Sequence, residues 1–378
     1  MKSTRAVKIK ITTENPRFQD VAENFRDAAN WLSKIVHARK KPGTAPSLHK
    51  EFYATIRDKF QLPSQVSCSL FRHVVGTYRS MKSNGRWSLA VYKKLIVPVV
   101  YNRDFRIVKG KLTFWKVKVE HKSRPIPKGT WRDSKLKKVG NQWWLILVVG
   151  VEIPEPKQSG NIVGVDLGQK NTLVAVETKS NKTLYVRGGI LEHRRLCIRQ
   201  TRAKVASVGT RSARRLLRRL GGREKAVTQE LMHVASKRLV AFAKSVDARA
   251  IAVEDLNGVR KARTSRKQRA RNHRWPYALL QFFVGYKTEA EGMTLEFVDP
   301  AYTSQGCSRC GHTEKSNRDG RSFRCGSCNW QDNADRNGAC NIASRSILRR
   351  QASEGRAMCQ LAYSGDGDHG VSQSQTRD

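Results

Sequence analysis

Four cysteines constrain this chain more tightly than any other feature. Cys307, Cys310, Cys325 and Cys328 form the pattern CSRC-x14-CGSC. Two CxxC knuckles at that separation can bring four thiolates to one tetrahedral ion. One Zn²⁺ is expected there. With four sulfurs around it the ion has no open position, so its role is structural and it stiffens a small ribbon over 303–332. A redox CxxC is the alternative reading. The remaining four of the eight cysteines, Cys68, Cys197, Cys340 and Cys359, are scattered, which suits metal binding in a reducing cytoplasm better than a disulfide frame. His312 lies near the knuckles, but the sulfur shell is already complete without it. It reads as a supporting or surface residue.

The charge balance narrows the partner. The chain has 378 residues, with 73 Lys and Arg against 31 Asp and Glu, a net charge of +42. A chain this basic repels itself unless counter-charge arrives, and a nucleic-acid backbone is the usual source. A basic protein of ribosomal type and an acidic-membrane binder are the bland alternatives. There is no apolar run of membrane-spanning length and no apolar core in MKSTRAVKIKITTENPRF, so neither a span nor a secretory signal is expected. The expected location is the cytoplasm of a bacterium or archaeon.

The spacing of apolar residues divides the chain. Residues 4–13 alternate as a strand does. Phe18, Val21, Phe25, Ala29 and Leu32 predict a helix over 16–38, and two more helices are expected at 48–60 and 64–82. Residues 86–152 hold strand-like runs, KLIVPVVY, KLTFWKVKVE and QWWLILVVGVEI, separated by turn signals. They predict a small β-barrel that the first strand joins. Trp131, Trp143, Trp144 and Phe114 within it read as core before they read as a base-stacking surface. PEPKQSG at 154–160 is a linker. Beyond it, IVGVDL, NTLVAVET and KTLYVRGG read as three strands, followed by a helical region over 191–246. RAIAVEDL is a strand, 274–291 a helix, MTLEFVD a strand, and 335–350 a last helix. Strands alternating with helices predict an α/β domain with a mixed sheet. The polar segment after about 351 is expected to be disordered.

Three acids stand out against this frame. Asp166 ends the apolar strand of GVDLG, and Gly168 permits a tight turn after it. Glu254 ends the apolar strand IAVEDL. Its neighbour Asp255 falls on the opposite face by the two-residue strand period, so Glu254 is the partner for Asp166. Asp335 opens the last helix in NADRNGACNIASR, where an N-cap or first-turn acid is the simpler reading; Asp332 is a second candidate. Each acid alone could be a turn or a cap. Together, two acids at strand ends and a third on a helix crossing the sheet supply the hard oxygen ligands that hydrolysis at two Mg²⁺ ions requires.

Two basic stretches could follow a phosphate backbone. Residues 192–225 carry twelve Lys and Arg and two Glu, and RSARRLLRRL spaces leucines for a core with arginines on the other faces. Arg194, Arg195, Arg199, Arg202, Arg211, Arg214, Arg215, Arg218 and Arg219 are the candidate contacts on this arginine-rich helix. VRKARTSRKQRARNHR at 259–274 reads as a flexible basic loop, with Lys261, Arg263, Arg266 and Lys267 as candidates. Within the ribbon, Arg309, Lys315, Arg318 and Arg321 could touch nucleic acid as well.

GVDLG at 164–168, IAVEDLNG at 251–258, VDPAYTSQGCSRCG at 298–311, FRCGSC at 323–328 and NADRNGACNIA at 333–343 together resemble the TnpB family, as does LMHVASKRLV at 231–240. The resemblance is specific over about 160–348 and carries no deciding motif over 1–159. It implies a multidomain α/β protein: an RNase H-like (RuvC) nuclease domain over 161–350 with the zinc ribbon inserted, a wedge-like β-barrel from 1–14 and 86–153, and a helical recognition segment over 15–85. It implies an RNA-guided endonuclease, encoded by a transposon and related to type V CRISPR effectors, whose metals are held by Asp166, Glu254 and Asp335. Asp335 rather than Asp332 is selected because it stands two residues before Asn337 in the D-x-N-x-A-x-N-I order. Asn337 and Asn341 then support the helix. The implied partners are a guide RNA from the transposon end and double-stranded DNA cut beside a short flanking motif, with the protein a monomer rather than a dimer. Gly338 and Cys340 depart from the family pattern, where Ala and a polar residue are commoner. Alternative readings are a guided repressor without cleavage, a compact type V CRISPR effector, and a transposase that joins strands. The retention of all three acids favours cutting.

Overall fold

A computed structural model describes residues 2–108, 110–123, 125–168, 170–256, 265 and 275–364, with side chains as far as 352. Lys261, Arg263, Arg266 and Lys267 lie outside the described residues. Two compact units result, Met1–Glu152 and Ile153–Asp378.

The first unit is a seven-stranded antiparallel sheet with three helices inserted after its first strand. The strands are β1 (Lys2–Thr12), β2 (Ile96–Val99), β3 (Phe105–Val108), β4 (Lys111–Phe114), β5 (Val117–Lys122), β6 (Thr130–Val139) and β7 (Gln142–Glu152), in the order β2-β6-β7-β1-β5-β4-β3. β1 is its centre, pairing with β7 along most of its length and with β5 at its end. β7 buries alternate residues from Trp143 to Val151, as a strand with one face on a core must. Helix α1 (Arg17–Ala38) inserts Phe18 between Phe114, Trp115 and Trp143, at centroid distances of 5.4, 5.6 and 5.8 Å. Trp143 and Phe114 are therefore core. Trp131 is half-buried against Tyr101, and Trp144 is half-buried. Helices α2 (Ala45–Phe60) and α3 (Ser64–Ser83) complete the unit.

Two features depart from the expected barrel. The sheet is nearly closed rather than closed, with β2 and β3 as its edges. KLTFWKVKVE is a hairpin rather than one run: Trp115 and Lys116 both take positive φ, 45° and 73°, and reverse the chain without the Asn or Gly that usually signals such a turn.

The second unit is a five-stranded mixed sheet covered on both faces. Its strands are β8 (Asn161–Asp166), β9 (Asn171–Glu177), β10 (Thr183–Arg187), β11 (Ala248–Glu254) and β12 (Thr294–Val298), in the order β10-β9-β8-β11-β12. β9 runs antiparallel to both β8 and β10, while β8, β11 and β12 are parallel. Helices α4 (Gly189–Ser207) and α5 (Arg211–Ser245) connect β10 to β11, and α6 (Tyr277–Glu289) precedes β12. One face of the sheet packs Val163, Val165, Ile251 and Val253 into a core with Leu239, Leu280 and Val284 of α5 and α6. The other packs Ile162, Ala250 and Ala252 against Ile342 of the last helix, α7 (Ala334–Ser364).

Gly164 determines how closely α7 approaches. A Cβ there would lie 2.1 Å from the Ala339 carbonyl oxygen and 2.8 Å from the Ala343 Cβ, so only glycine admits the helix.

Two helical expectations need correction. The arginine-rich segment 192–225 is not one helix. α4 ends before Gly209, which adopts φ 70°, and Thr210 caps α5 by accepting a hydrogen bond from the Ala213 N–H. The segment from 351, expected to be disordered, is helical as far as Ser364, and 365–378 lie outside the described residues. EGRAMCQLAY has helix-forming residues and no proline.

Candidate active site

The register of the parallel strands brings Asp166 and Glu254 side by side. Val165 pairs with Val253, so each acid is the next residue on its strand. Asp166 shares the strand face of Ile162 and Gly164, and Glu254 that of Ala250 and Ala252, which is the face α7 covers. Asp255 falls on the opposite face and is exposed. Asp335 sits in the first turn of α7, on the same side of the sheet.

Asp335 does not cap its helix. The Asn333 side chain does, accepting from the Asp335 and Arg336 N–H groups at 3.1 and 3.2 Å. The Asp335 carboxylate accepts instead from Asn171 Nδ2 at 2.9 Å and Arg318 Nη2 at 3.2 Å. Asp332 is occupied elsewhere: it pairs with Arg336 one turn on and accepts from the Asn333 N–H. Glu254 accepts a hydrogen bond from the buried Thr303 hydroxyl, and its backbone carbonyl accepts from Gln281 Nε2 at 2.9 Å.

The acids feel one another. Burial first, then the charges of Glu254 and Asp335, push the Asp166 carboxyl up to about 8, against the opposing pull of Arg318. Burial also raises Glu254, while Thr303, Arg345 and Arg318 hold it down. Such a cluster is unfavourable unless cations or protons neutralise it. Nevertheless, the acids stop short of single-ion spacing. Among the described residues, the four cysteines are the group of potential metal ligands whose atoms all lie within 4.8 Å of one another.

Those cysteines fit a tetrahedral ion. Cys307 and Cys328 sulfurs lie 3.7 Å apart and Cys310 and Cys325 sulfurs 3.5 Å apart. Four sulfurs about 2.3 Å from one zinc would be roughly 3.8 Å apart. The Cys328 N–H, 3.4 Å from the Cys325 sulfur, helps push that thiol down to about 6, towards the thiolate a metal needs. Buried Asn317 ties the knuckles together, donating to Gln305 and His312 carbonyls and accepting from Gly326 N–H. Strands β13 (Arg318–Asp319), β14 (Ser322–Arg324) and β15 (Gln331–Asn333) complete the ribbon. Asn337 and Asn341 dock α7 on it through the Gly306 carbonyl, each at 2.7 Å.

Thr303, Asn171 and Arg318 escape sequence reasoning. Arg318 reads as a surface contact, yet the ribbon turns it onto Asp335. Arg309 stacks over Trp330 at 5.4 Å. Only the proximity of Thr303 to the first knuckle marks it, and that does not foretell its contact with Glu254.

The arginines of α4 and α5 divide by exposure. Arg194, Arg199, Arg202, Arg211, Arg214, Arg215, Arg218 and Arg219 are exposed, while Ala213 is buried and Leu216, Leu217 and Leu220 are half-buried. Arg202 pairs with Glu224 at 3.2 Å. Arg195 is half-buried and donates to Thr228 Oγ1 at 3.3 Å, which makes it a link between the two helices as well. No described helix is long and apolar enough to cross a membrane.

Comparisons with known proteins find similarity to one domain family, several relatives and a solved structure. Residues 277–342, from α6 to the third turn of α7, match the Cas12f1-like, TNB domain family. The chain is 28% identical over 199 residues to the TnpB-like protein MJ0751 of Methanocaldococcus jannaschii, covering 49% of this chain and 68% of that protein. Over 60 residues it is 50% identical to InsQ of Escherichia coli K12, described as an RNA-guided DNA endonuclease, covering 16% of this chain and 15% of InsQ. Matches to Cas12f1 endodeoxyribonucleases span 26% to 42% of their length. The fold is similar to that of the mini-RNA-guided endonuclease CRISPR-Cas_phi3, with a TM-score of 0.50, 12% identity and 92% of each chain covered.

Proposed function

We propose that this chain, similar to TnpB-like and Cas12f1-like proteins, is a TnpB-family protein related to the type V effectors and an RNA-guided DNA endonuclease that hydrolyses phosphodiester bonds at Asp166, Glu254 and Asp335. The observation that carries this reading is the convergence of these acids from β8, β11 and α7 on one face of a sheet ordered β10-β9-β8-β11-β12. That strand order, with β9 alone antiparallel to both neighbours, supports an RNase H-like, RuvC-type nuclease domain.

When bound, two Mg²⁺ ions would align the attacking water and stabilise the leaving oxygen. The residues around them prepare that site. Burial, then the charges of Glu254 and Asp335, raise the Asp166 carboxyl to about 8, so positive charge arriving at the site would favour its ionised form. Thr303 fixes one carboxylate oxygen of Glu254. Asn171 and Arg318 hold one oxygen each of Asp335, and the Arg318 guanidinium offsets charge that the acids would otherwise place on one another. A single Zn²⁺ held by Cys307, Cys310, Cys325 and Cys328 keeps the ribbon in shape, and with it the Arg318 contact.

The partners in this reading are a guide RNA made from the transposon end and double-stranded DNA beside a short flanking motif. Guide pairing reads sequence while the protein holds the heteroduplex by its backbone. The exposed arginines of α4 and α5 are suited to phosphates. A monomer in the cytoplasm completes the reading. Retention of all three acids favours cutting over guided repression.

The experiment is to purify the protein with its bound RNA, sequence that RNA, and supply matching double-stranded DNA with Mg²⁺. Cleavage confined to matching DNA is expected. Cleavage indifferent to RNA, or none with any RNA that copurifies, would count against it.

A further inference from the structure

Strand register places one more side chain beside the acids. Asp166 of β8 lies opposite Val174 of β9, and Val174 lies opposite Tyr185 of β10, both in antiparallel pairs. Residues directly opposite one another point to the same face. Tyr185 therefore shares the acid face with Asp166, two strands away, with roughly 10 Å between their Cα atoms. The row between them is uneven. Val174 is fully buried, whereas Tyr185 is 40% exposed on an edge strand. The start of α7 flanks the tyrosine. Burial first, then the charge of Asp332, raise its hydroxyl; Arg336 opposes them and Asp335 adds to the rise, so the ring stays neutral. Arg336 is already engaged. It pairs with Asp332, and its Nε donates to Thr183 Oγ1 at 3.3 Å, on the same strand face as Tyr185.

We propose that Tyr185 stacks on one base of the DNA strand drawn to the acids. The inference rests on the endonuclease reading and adds to its site a residue that positions the strand. The carboxylates of Asp332 and Asp335 disfavour a phosphate at this ring, and Arg336 is spent on Asp332 and Thr183. An exposed neutral ring in that setting fits the face of a base rather than the backbone. Stacking of this kind accepts any base, as an enzyme whose sequence comes from a guide requires. Stacked nucleotides advance about 3.4 Å each, so the held base lies within about three nucleotides of the scissile phosphate. Holding it fixes which phosphate meets Asp166, and with it the position of the cut.

The test uses the full-length protein with its copurified RNA and matching DNA. Tyr185→Phe keeps the ring and should cut at the wild-type rate and position. Tyr185→Leu keeps an apolar side chain on the strand without a ring. Loss of one base stack predicts that it cuts about tenfold slower. Its cut should also spread over neighbouring positions, while bound RNA is unchanged. Wild-type rate and cut position in Tyr185→Leu, or an equal loss in Tyr185→Phe, would overturn the proposal.

A second arm needs no cutting. The full-length protein as purified, in Ca²⁺, is irradiated with single-stranded DNA carrying 5-iodouracil, and adducts are mapped by mass spectrometry. An adduct at Tyr185 is expected. Its absence, or its formation with the equivalent RNA but not with DNA, would overturn the proposal. This arm reads the ring even if guided cleavage fails, and guided cleavage that ignores Tyr185→Leu counts against the ring alone, so the two readings fail separately.

Discussion

The cysteine cluster and the acid cluster sit at opposite ends of one design range. The cysteines come from two short knuckles on one ribbon, and their sulfurs are already 3.5 to 3.7 Å apart in pairs. The acids come from two strands and a helix, repel one another, and are held apart by Thr303, Asn171 and Arg318. A site assembled locally can close by itself. A site assembled by tertiary packing depends on everything that positions its parts, and part of that support comes from the ribbon. The dependence therefore runs one way, from cysteines to acids.

Breaking the ribbon tests that asymmetry with the largest effect. Cys307→Ser with Cys325→Ser should abolish bound zinc, measured as metal per protein by mass spectrometry, and reduce cutting below detection because Arg318 loses its place. Conversely, Asp335→Ala should retain one zinc per chain. Cutting that survives zinc loss would show the two regions to be independent.

Packing comes next. Gly164→Ala forces a Cβ to 2.1 Å from the Ala339 carbonyl oxygen and should push α7 off β8. The expected loss is about 3 kcal/mol or more, roughly 6–12 °C in melting temperature. A Cβ on Gly338 would sit 3.7 Å from Asp166, an ordinary contact, so Gly338→Ala should be neutral or gain up to about 1 kcal/mol of helix propensity. Equal melting temperatures for the two variants would refute the close approach of α7.

Burial of Asp166, together with repulsion from the other acids, predicts a pH-dependent effect. The folded state raises Asp166 from 3.8 to about 8, so it binds that proton more tightly than the unfolded chain does. The associated stability is fully present below about pH 4 and is lost as pH rises through 8. Metal-free Asp166→Asn should therefore melt roughly 5 °C above wild type at pH 9 and level with it below pH 4. A constant difference across that window would mean that the folded state does not raise the Asp166 carboxyl.

The smallest change is Thr303→Val, which removes one hydrogen bond to Glu254 and should slow cutting about tenfold. Thr303→Ser should restore the rate. Equal rates in all three proteins would remove Thr303 from the site.

How much of this was legible in the sequence follows the same division. Strand ends at Asp166 and Glu254, the parity that separates Glu254 from Asp255, and the two knuckles are local patterns, readable from spacing. The choice of Asp335 over Asp332 needed the family order of residues, and the structure adds a physical reason in the Asp332–Arg336 pair. Arg318 and Thr303 could not be found, because their contacts exist only once the ribbon and α7 have docked. The Trp115–Lys116 reversal was hidden because it uses no typical turn residue, and β6 because its lysine-rich face leaves only Ser134 and Leu136 buried.

The central claim is that acids from three separate elements form one metal-dependent centre. Its most direct test is Mg²⁺-dependent cleavage of DNA matching the copurified RNA, by wild type and by Asp166→Ala, Glu254→Ala and Asp335→Ala, with bound RNA quantified in each. The account predicts that every variant keeps its RNA and loses cutting. Any one of them cutting at the wild-type rate would contradict it.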